Sequence, residues 1–458
     1  MSESIGHSGK GMKLHTKVLI GLVVGAVLGV AANVMLGGTH PFVVNVNKYV
    51  AGPLGQIFLR MLFMIVIPLV FASIALGVAG LGDLRRVGRV GTKAITYFLV
   101  TTAIAAALGL LAVNVVRPGD QLPEATRAEL LAAFAGDASS KVEAAATSTF
   151  GIETLVNIVP RNPFRAALDL DLLAVIFFGF IFGAALTMIQ AERAKPMLDW
   201  LEALNDVVIK IVAFAMKLAP IGVTALIFGV TSRFGWALLK PLGSYVAVVL
   251  GALLFHAVVT NSLIARFLIG LSPVTFFSRI RTSIVTAFST SSSSATLPTN
   301  LAVAEQNLGV PPQIAGFVLP IGSTMCMNGT ALFEGITVLF LCQVFGIGLS
   351  LGQQVVVVIM SVLTAVGAAG VPGGSIPLLV GILTMFGVPA EGIAIVLGVD
   401  RILDMSRTTV NVIGDMLATV WVGRSEGVWT PAMVPAVEGL GAGRVDESPG
   451  WPKPGEVG

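Results

Sequence analysis

Six stretches of this chain, at about 18–36, 54–77, 94–116, 172–190, 207–230 and 242–264, are each long and apolar enough to cross a bilayer. A helix rises about 1.5 Å per residue, so roughly 20 apolar residues span a hydrocarbon core about 30 Å thick. Lipid offers the backbone no hydrogen bonds, so spans of this length must bond to themselves as helices. Charge points the same way. Only 12% of the 458 residues are charged and 55% are hydrophobic, with a mean hydropathy of +0.90, against about 25% charged in a soluble domain. No long polar linker divides the chain, which predicts one all-α integral membrane unit. A net charge of +3, scattered along the sequence, excludes a nucleic-acid surface. Cys326 and Cys342 lie in apolar stretches, which argues against a disulfide framework or a zinc site. The run from Val18 to Leu36 is too long for a signal-peptide core and is expected to stay in the protein.

Basic residues orient the spans. Lys10, Lys13 and Lys17 precede the first span, and Arg85, Arg86, Arg89 and Lys93 follow the second against one acid, Asp83. The 117–171 segment has five basic and eight acidic residues. The positive-inside rule places 1–17 and 83–93 in the cytoplasm and 117–171 outside, with Arg266, Arg279 and Arg281 inside again. The long outer loop includes a weakly helical run, Glu124–Phe134, and 426–458 reads as a cytoplasmic tail.

The second half breaks the pattern. Ser289 to Ser294 are six consecutive hydroxyl residues amid apolar flanks, and Gly367-Ala-Ala-Gly-Val-Pro-Gly-Gly-Ser375 interrupts another apolar stretch. Ile314–Ile321 and Ala331–Leu341 flank Ser323-Thr-Met-Cys-Met-Asn-Gly-Thr330. Such backbone survives at membrane depth only when buried in protein or lining an aqueous cavity. Two interrupted segments, each followed by a full span, fit an inverted repeat of re-entrant hairpin plus helix, the pattern that marks a transporter's midplane site. The plainer alternative is two loops outside the membrane.

The last span, about 391–421, carries Asp400, Arg401, Asp404, Arg407, Asn411 and Asp415. At about 100° per residue, all of these but Arg401 fall within an arc of about 80°. Ile402, Met405, Thr409 and Ile413 form the opposite, nearly lipid-compatible side. Facing lipid, three acids and an arginine would cost on the order of 10 kcal/mol. They are expected to face a solvated or ligand-filled interior; a soluble amphipathic helix is the alternative. Arg407 can grip a carboxylate through its planar fork. Asp404, one turn away, can pair with an ammonium group. Asn411 and Asp415 offer oxygens to a hard cation such as Na⁺, and the hairpin tips offer helix N-termini to a second carboxylate.

At these residues the sequence resembles the dicarboxylate/amino acid:cation symporter family, the glutamate transporter family. The likeness covers about 15–425. It rests on Ser292-Ser-Ser-Ala-Thr-Leu-Pro298, Asn328-Gly-Thr-Ala331, Gly370-Val-Pro-Gly373 and Asp400-Arg-Ile-Leu-Asp-Met-Ser-Arg-Thr-Thr-Val-Asn-Val-Ile-Gly-Asp415. Met64-Ile-Val-Ile-Pro68, Asn162-Pro-Phe164 and Ala219-Pro-Ile-Gly222 support it. The resemblance implies eight transmembrane helices, two re-entrant helical hairpins with inverted repeats, and a plasma-membrane homotrimer moving its transport domain like an elevator. It implies six spans over 18–264 and a transport core over 265–425. It also implies a symporter of acidic amino acids, with C4-dicarboxylates as the alternative, and no cofactor beyond the coupling ion.

By position, Arg407 would bind the substrate's side-chain carboxylate and Asp404 its amino group. Asn411, Thr408 and Thr330 would complete the polar shell, with Ser292, Ser293, Val371, Gly373 and Ser375 from the hairpins, Ser375 replacing a family glycine. Family dicarboxylate carriers lack the acid at Asp404, and neutral-amino-acid members lack Arg407. Coupling is where the sequence departs. The family's Asn-Met-Asp-Gly-Thr reads Cys326-Met-Asn-Gly-Thr330, replacing hard oxygen ligands with a thiol and an amide. Ala365 and Ala368 lack hydroxyls some members carry. Asp415, Asn411, Gly322, Thr324 and Asn328 form the expected cation-binding set, and Glu334 the proton carrier, leaving H⁺, Na⁺ or both as the coupling ion. The positions of a further family arginine read Ser291 and Met405; Arg401 is its candidate substitute, with an ion pair to Asp400 as the structural alternative. An intramembrane aspartyl protease, from Gly80-Leu-Gly-Asp83, and a passive channel are the competing classes.

Overall fold

The computed structural model describes residues 14–80, 84–133, 159–168, 172–368, 370 and 372–435. Residues 1–13, Asp83, most of the 117–171 segment, Val371 and most of the tail therefore lie outside the described residues. Every regular element among the described residues is helical. Among the described residues, six helical stretches are long and apolar enough to cross a membrane; Pro312–Val344 is one of them, whereas the expected span at 172–190 is a shorter apolar helix.

Helix α1 (Leu14–Leu36) runs through the first expected span. Its outward face exposes Val23, Val27, Leu28, Val34 and Met35. The second span is longer than expected, continuous from Pro41 to Leu76 apart from a turn at Met64–Ile65, between α2 (Gly52–Phe63) and α3 (Val66–Gly80). α4 (Leu84–Val116) and α5 (Leu172–Met188) follow, with the expected helix at Glu124–Ala133 between them. The fifth span lies within α6 (Ala191–Phe234), whose 44 residues extend to about 66 Å. α7 (Trp236–Phe255) continues through two π-helical segments, His256–Thr260 and Ile264–Ile269, and stops at Gly270, φ +81°. His256 is buried there without a hydrogen-bond partner on either ring nitrogen.

Glycine sets how closely the outer helices pack. A Cβ on Gly25 would sit 2.5 Å from the Thr224 carbonyl oxygen, and one on Gly21 2.6 Å from that of Pro220. α1 therefore lies backbone to backbone on α6, an approach that a larger side chain would prevent.

The interrupted half folds into two helical hairpins and two broken helices. α8 (Arg281–Thr290) and α9 (Ser293–Gln306) are the arms of the first hairpin. Ser291 turns between them at φ +51°, and Ser292 caps α9 by accepting the Ala295 N–H at 3.1 Å. α10 (Pro312–Met325) and α11 (Asn328–Val344) form one apolar run broken at Cys326 and Met327, which leave helical geometry. α12 (Leu351–Gly367) begins with a capping box between Ser350 and Gln353 and, with α13 (Ile376–Met385), forms the second hairpin. The last span is corrected. It is not one helix from 391 but a 3₁₀ turn (Ala390–Ile393), a short helix (Ala394–Leu397) and then α14 (Asp400–Ser425).

α14 is the axis of this half. It packs against both arms of the first hairpin and against α4, α10 and α11. Consequently its predicted lipid-compatible side is only partly open: Ile402 is exposed and Thr409 half-buried, while Met405 and Ile413 are buried. Within the span Pro312–Val344, residues 325–342 are all buried, whereas most of α1 is not. The polar stripe thus sits in the best-shielded part of the molecule.

Candidate functional site

The charged stripe folds back on itself at the start of α14. Arg407 Nη1 donates to Asp400 Oδ1 at 2.8 Å, and Arg407 Nε donates to Asp404 Oδ1 at 3.1 Å. Arg407 Nη2 lies 2.9 Å from the same Asp404 oxygen without being directed along it, so its N–H groups keep donor capacity. The guanidinium stacks 4.3 Å over the Phe333 ring, in cation–π contact. Arg401 Nη1 reaches Asp404 Oδ2 at 3.5 Å, and the Gly373 N–H donates to that oxygen at 3.2 Å. Arg401 therefore pairs with Asp404; Asp400, its expected alternative partner, is held by Arg407. The side chains of all four charged residues are at most 9% exposed.

The two hairpin tips meet above this cluster. Ser292 Oγ donates to the Gly370 carbonyl oxygen at 2.6 Å, and the Ser294 N–H donates to the same oxygen at 3.3 Å. Gly370 is required at this point, since a Cβ there would lie 2.8 Å from both Ser294 Oγ and the Ser323 carbonyl oxygen. Beneath the tips, Ser291, Ser293, Met327, Thr330, Ala368, Gly370, Ser375, Asp404, Arg407, Thr408 and Asn411 line a cavity of about 20 Å³, room for about one water. Ser293 and Ser375 stand at the N-termini of α9 and α13, so two positive helix ends border it. The hydroxyls of Ser291 and Ser375 are buried and unpartnered. Of the expected substrate set, Arg407, Asp404, Asn411, Thr408, Thr330, Ser293 and Ser375 line the cavity. Ser292 and Gly373 instead support the tip and Asp404, and Val371 lies outside the described residues.

Asn411 fastens α11 to α14. Its Oδ1 accepts the Gly329 N–H at 2.8 Å and the Thr330 N–H at 3.3 Å, two of the orphan donors at a helix start. Its Nδ2 donates to Thr330 Oγ1 and to Met327 Sδ, each at 3.1 Å. Gly329 lets the backbones meet, because a Cβ there would come within 2.9 Å of Arg407 Cα.

A second polar centre lies further along α14. Both carboxylate oxygens of Asp415 are buried, with the Cys326 thiol beside them as a weak donor, and a Cβ on Gly322 would lie 2.7 Å from Oδ1. Cys326 adjoins Asp415, while the Tyr97 hydroxyl and Asn328 Nδ2 are buried and unpartnered. Asn328 Oδ1 accepts from Thr102 Oγ1 at 2.8 Å. The structure brings Asp415, Gly322 and Asn328 to one region. Thr324 is exposed, its hydroxyl donating to the Ile321 carbonyl oxygen, and Asn411 is turned toward α11. A buried carboxylate fits a hard cation, whereas a thiol and an amide nitrogen fit one poorly.

Glu334 is fully buried on α11, its Oε2 2.7 Å from Thr364 Oγ1 and its Oε1 without a partner. That same Thr364 hydroxyl also lies 2.7 Å from the Met360 carbonyl oxygen.

The sequence reading missed several partners: Phe333, Thr364, Thr102, Tyr97, and Tyr245, whose hydroxyl bonds Thr337 at 2.8 Å. For the hydroxyl-bearing partners the available signal was a hydroxyl within an apolar span, which does not say which neighbour it meets; for Phe333 there was none.

A model of the sodium:dicarboxylate symporter family matches residues 14–425. The chain belongs to that family. It is 38% identical over 93% of its length to a proton/sodium-glutamate symport protein of Bacillus subtilis (strain 168), covering 95% of that relative. It is 34% identical over 90% of its length to a proton/glutamate-aspartate symporter of Escherichia coli (strain K12), covering 92%. A C4-dicarboxylate transport protein of Bacillus subtilis (strain 168) is 33% identical over 94% of this chain and 98% of its own. As a member of a symporter family with several membrane-spanning helices, this chain is a multi-pass membrane transporter.

Proposed function

We propose that this member of the family imports acidic amino acids, glutamate or aspartate, in symport with H⁺, Na⁺ or both across the plasma membrane. The observation that carries the reading is Arg407 and Asp404 side by side, both buried, on the wall of a cavity closed by two hairpin tips. A guanidinium and a carboxylate one turn apart match a side-chain carboxylate and an α-ammonium. The two helix N-termini suit the α-carboxylate. Thr408, Thr330 and Asn411 complete the shell, and Ser293, Val371 and Ser375 contribute from the tips. The cavity has room for only about one water, so admitting a substrate requires a hairpin to move, with the Ser292–Gly370 contact as the gate.

Glu334 is the proposed proton carrier. Thr364 has one hydroxyl proton and two acceptors at 2.7 Å, Glu334 Oε2 and the Met360 carbonyl. A proton on Glu334 donated to Thr364 would leave the Thr364 proton wholly to the Met360 carbonyl, so that neither acceptor shares it. Asp415, with Asn328 and the Gly322 carbonyl beside it, is the proposed cation site. The architecture assigned is eight spans with two re-entrant hairpins, scaffold spans within 18–264 and a transport core over 265–425, assembled as an elevator-type homotrimer. Both termini are placed in the cytoplasm. Lys93 and Arg89 pairing with Glu426 at 2.6 and 3.0 Å supports one side for the 83–93 connection and the end of α14.

The test is uptake of labelled glutamate, aspartate and succinate into proteoliposomes under separately imposed Na⁺ and H⁺ gradients. Concentrative uptake of an acidic amino acid is expected. Mere equilibration under every gradient would refute symport.

A further inference from the structure

Four ionised side chains occupy the first two turns of α14, two guanidiniums against two carboxylates, and each is already paired within the chain. The proposed function gives Arg407 and Asp404 to the substrate and leaves Asp400 and Arg401 without a task. Asp400 already sits on Arg407 at 2.8 Å, where a substrate carboxylate would bind. Arg401 sits on Asp404 Oδ2, where a substrate ammonium would bind. Substrate binding is therefore an exchange of partners within a closed set.

The two internal contacts differ in strength. The Arg407–Asp400 pair is short, buried and well directed. The Arg401–Asp404 contact is 3.5 Å long, and Arg401 Nε is buried without any partner. Asp404 Oδ2 also receives the Gly373 N–H, so releasing Arg401 does not strip that oxygen bare. An arriving ammonium takes Asp404 from Arg401 while the substrate carboxylate takes Arg407 from Asp400, so the released Arg401 and Asp400 keep the buried set neutral.

A diacid that lacks an amino group presents the opposite case. Its carboxylate draws Arg407 away, and Asp404 would be left as a buried charge without a cation, a condition that is strongly unfavourable. Arg401 prevents this by staying where it is.

We propose that Arg401 holds the ammonium subsite of Asp404, so that the transporter accepts C4-dicarboxylates without an amino group alongside acidic amino acids. This rests on the acidic-substrate reading above. Arg401 is a specificity-determining residue that acts through Asp404, and the acid at 404 does not by itself exclude diacids here.

The test compares labelled aspartate and labelled succinate in one proteoliposome preparation of the full chain. The wild type is expected to take up both, each competing with the other. Arg401→Gln is expected to raise the succinate KM by about tenfold or more, the scale of one charge-assisted contact, with the aspartate KM unchanged or lower. Arg401→Lys is expected to restore most of the succinate uptake, since it returns a cation. Equal rises in both KM values, or an unchanged ratio, would overturn the proposal, because a merely structural arginine affects both substrates alike. Succinate failing to enter or compete while aspartate is transported would also overturn it. A wild type that transports neither substrate would sink the acidic-substrate reading itself, a distinguishable result. Should Arg401→Gln not fold, Arg401→Met, an apolar side chain that fills the buried space, takes its place with the same reading of the two KM values.

Discussion

Asn411 offers the sharpest test of how α11 is held against α14. Replacing it with Ala deletes the acceptor for two buried amide donors, Gly329 N–H and Thr330 N–H, and the donor to Thr330 Oγ1. Each stranded buried donor costs about 1–3 kcal/mol. Summed, and reduced where a water enters the space left by the side chain, the expected loss is about 2–4 kcal/mol. Asn411→Asp keeps both acceptor lone pairs and places negative charge at a helix start, which favours it, while reversing the Thr330 bond and losing the one to Met327 Sδ. Thr330→Val loses only hydroxyl contacts, about 1 kcal/mol. The assay is thermal unfolding of detergent-purified protein, with the three variants in parallel. The expected order is wild type, then Thr330→Val and Asn411→Asp close together, then Asn411→Ala well below. An Asn411→Ala protein as stable as Asn411→Asp would refute the claim that this side chain caps α11.

Arg407→Ala is expected to abolish acidic-substrate uptake and to destabilise the fold by about 3–5 kcal/mol, because Asp400 and Asp404 lose their shared cation; uptake and thermal unfolding read the two effects separately. Glu334→Gln is expected to remove the response to an imposed pH gradient while sparing substrate homoexchange, and proton-driven uptake persisting in that variant would take Glu334 out of the mechanism. At the end of α14, hydrogen bonds from Lys93 and then Arg89 hold the Glu426 carboxyl below its usual range. A depressed carboxyl stabilises the fold above its unfolded value and loses that contribution as pH falls through its folded one. Glu426→Gln should therefore lower thermal stability slightly at pH 7, with the difference from wild type vanishing in strongly acidic buffer; a constant difference would contradict the ion-pair account.

The membrane class, the apolar helices and the polar stripe were legible because charge is rare here, so each buried charge stands out against its surroundings. The motif residues could likewise be assigned to one cavity, since Ser293, Thr330, Asp404, Arg407 and Asn411 line it together. What the sequence hid was pairing. A period of 3.6 residues places Asp400, Asp404 and Arg407 on one face but does not say that Arg407 bridges Asp400 and Asp404 while Arg401 joins Asp404 rather than Asp400. Nor does periodicity show that Thr364, on another helix, meets Glu334. Backbone breaks were visible as composition, yet the one at Gly398–Val399 was not, because its residues read as ordinary span. The side opposite the stripe was misjudged for a related reason: apolar residues suit lipid and a protein interior equally well.

The break at Cys326–Met327 has a consequence for how such a protein diversifies. Where α10 stops and α11 starts, helix-end carbonyl and amide groups are presented to the interior by the course of the main chain, whatever the side chains are. Asp415, Asn328 and Cys326 decorate that fixed frame. In the proposed cation site their identities can change one at a time, moving the preference from one ion toward another, while the path of the chain stays as it is. An interruption that in an ordinary span would only weaken the helix thus serves as an interchangeable socket.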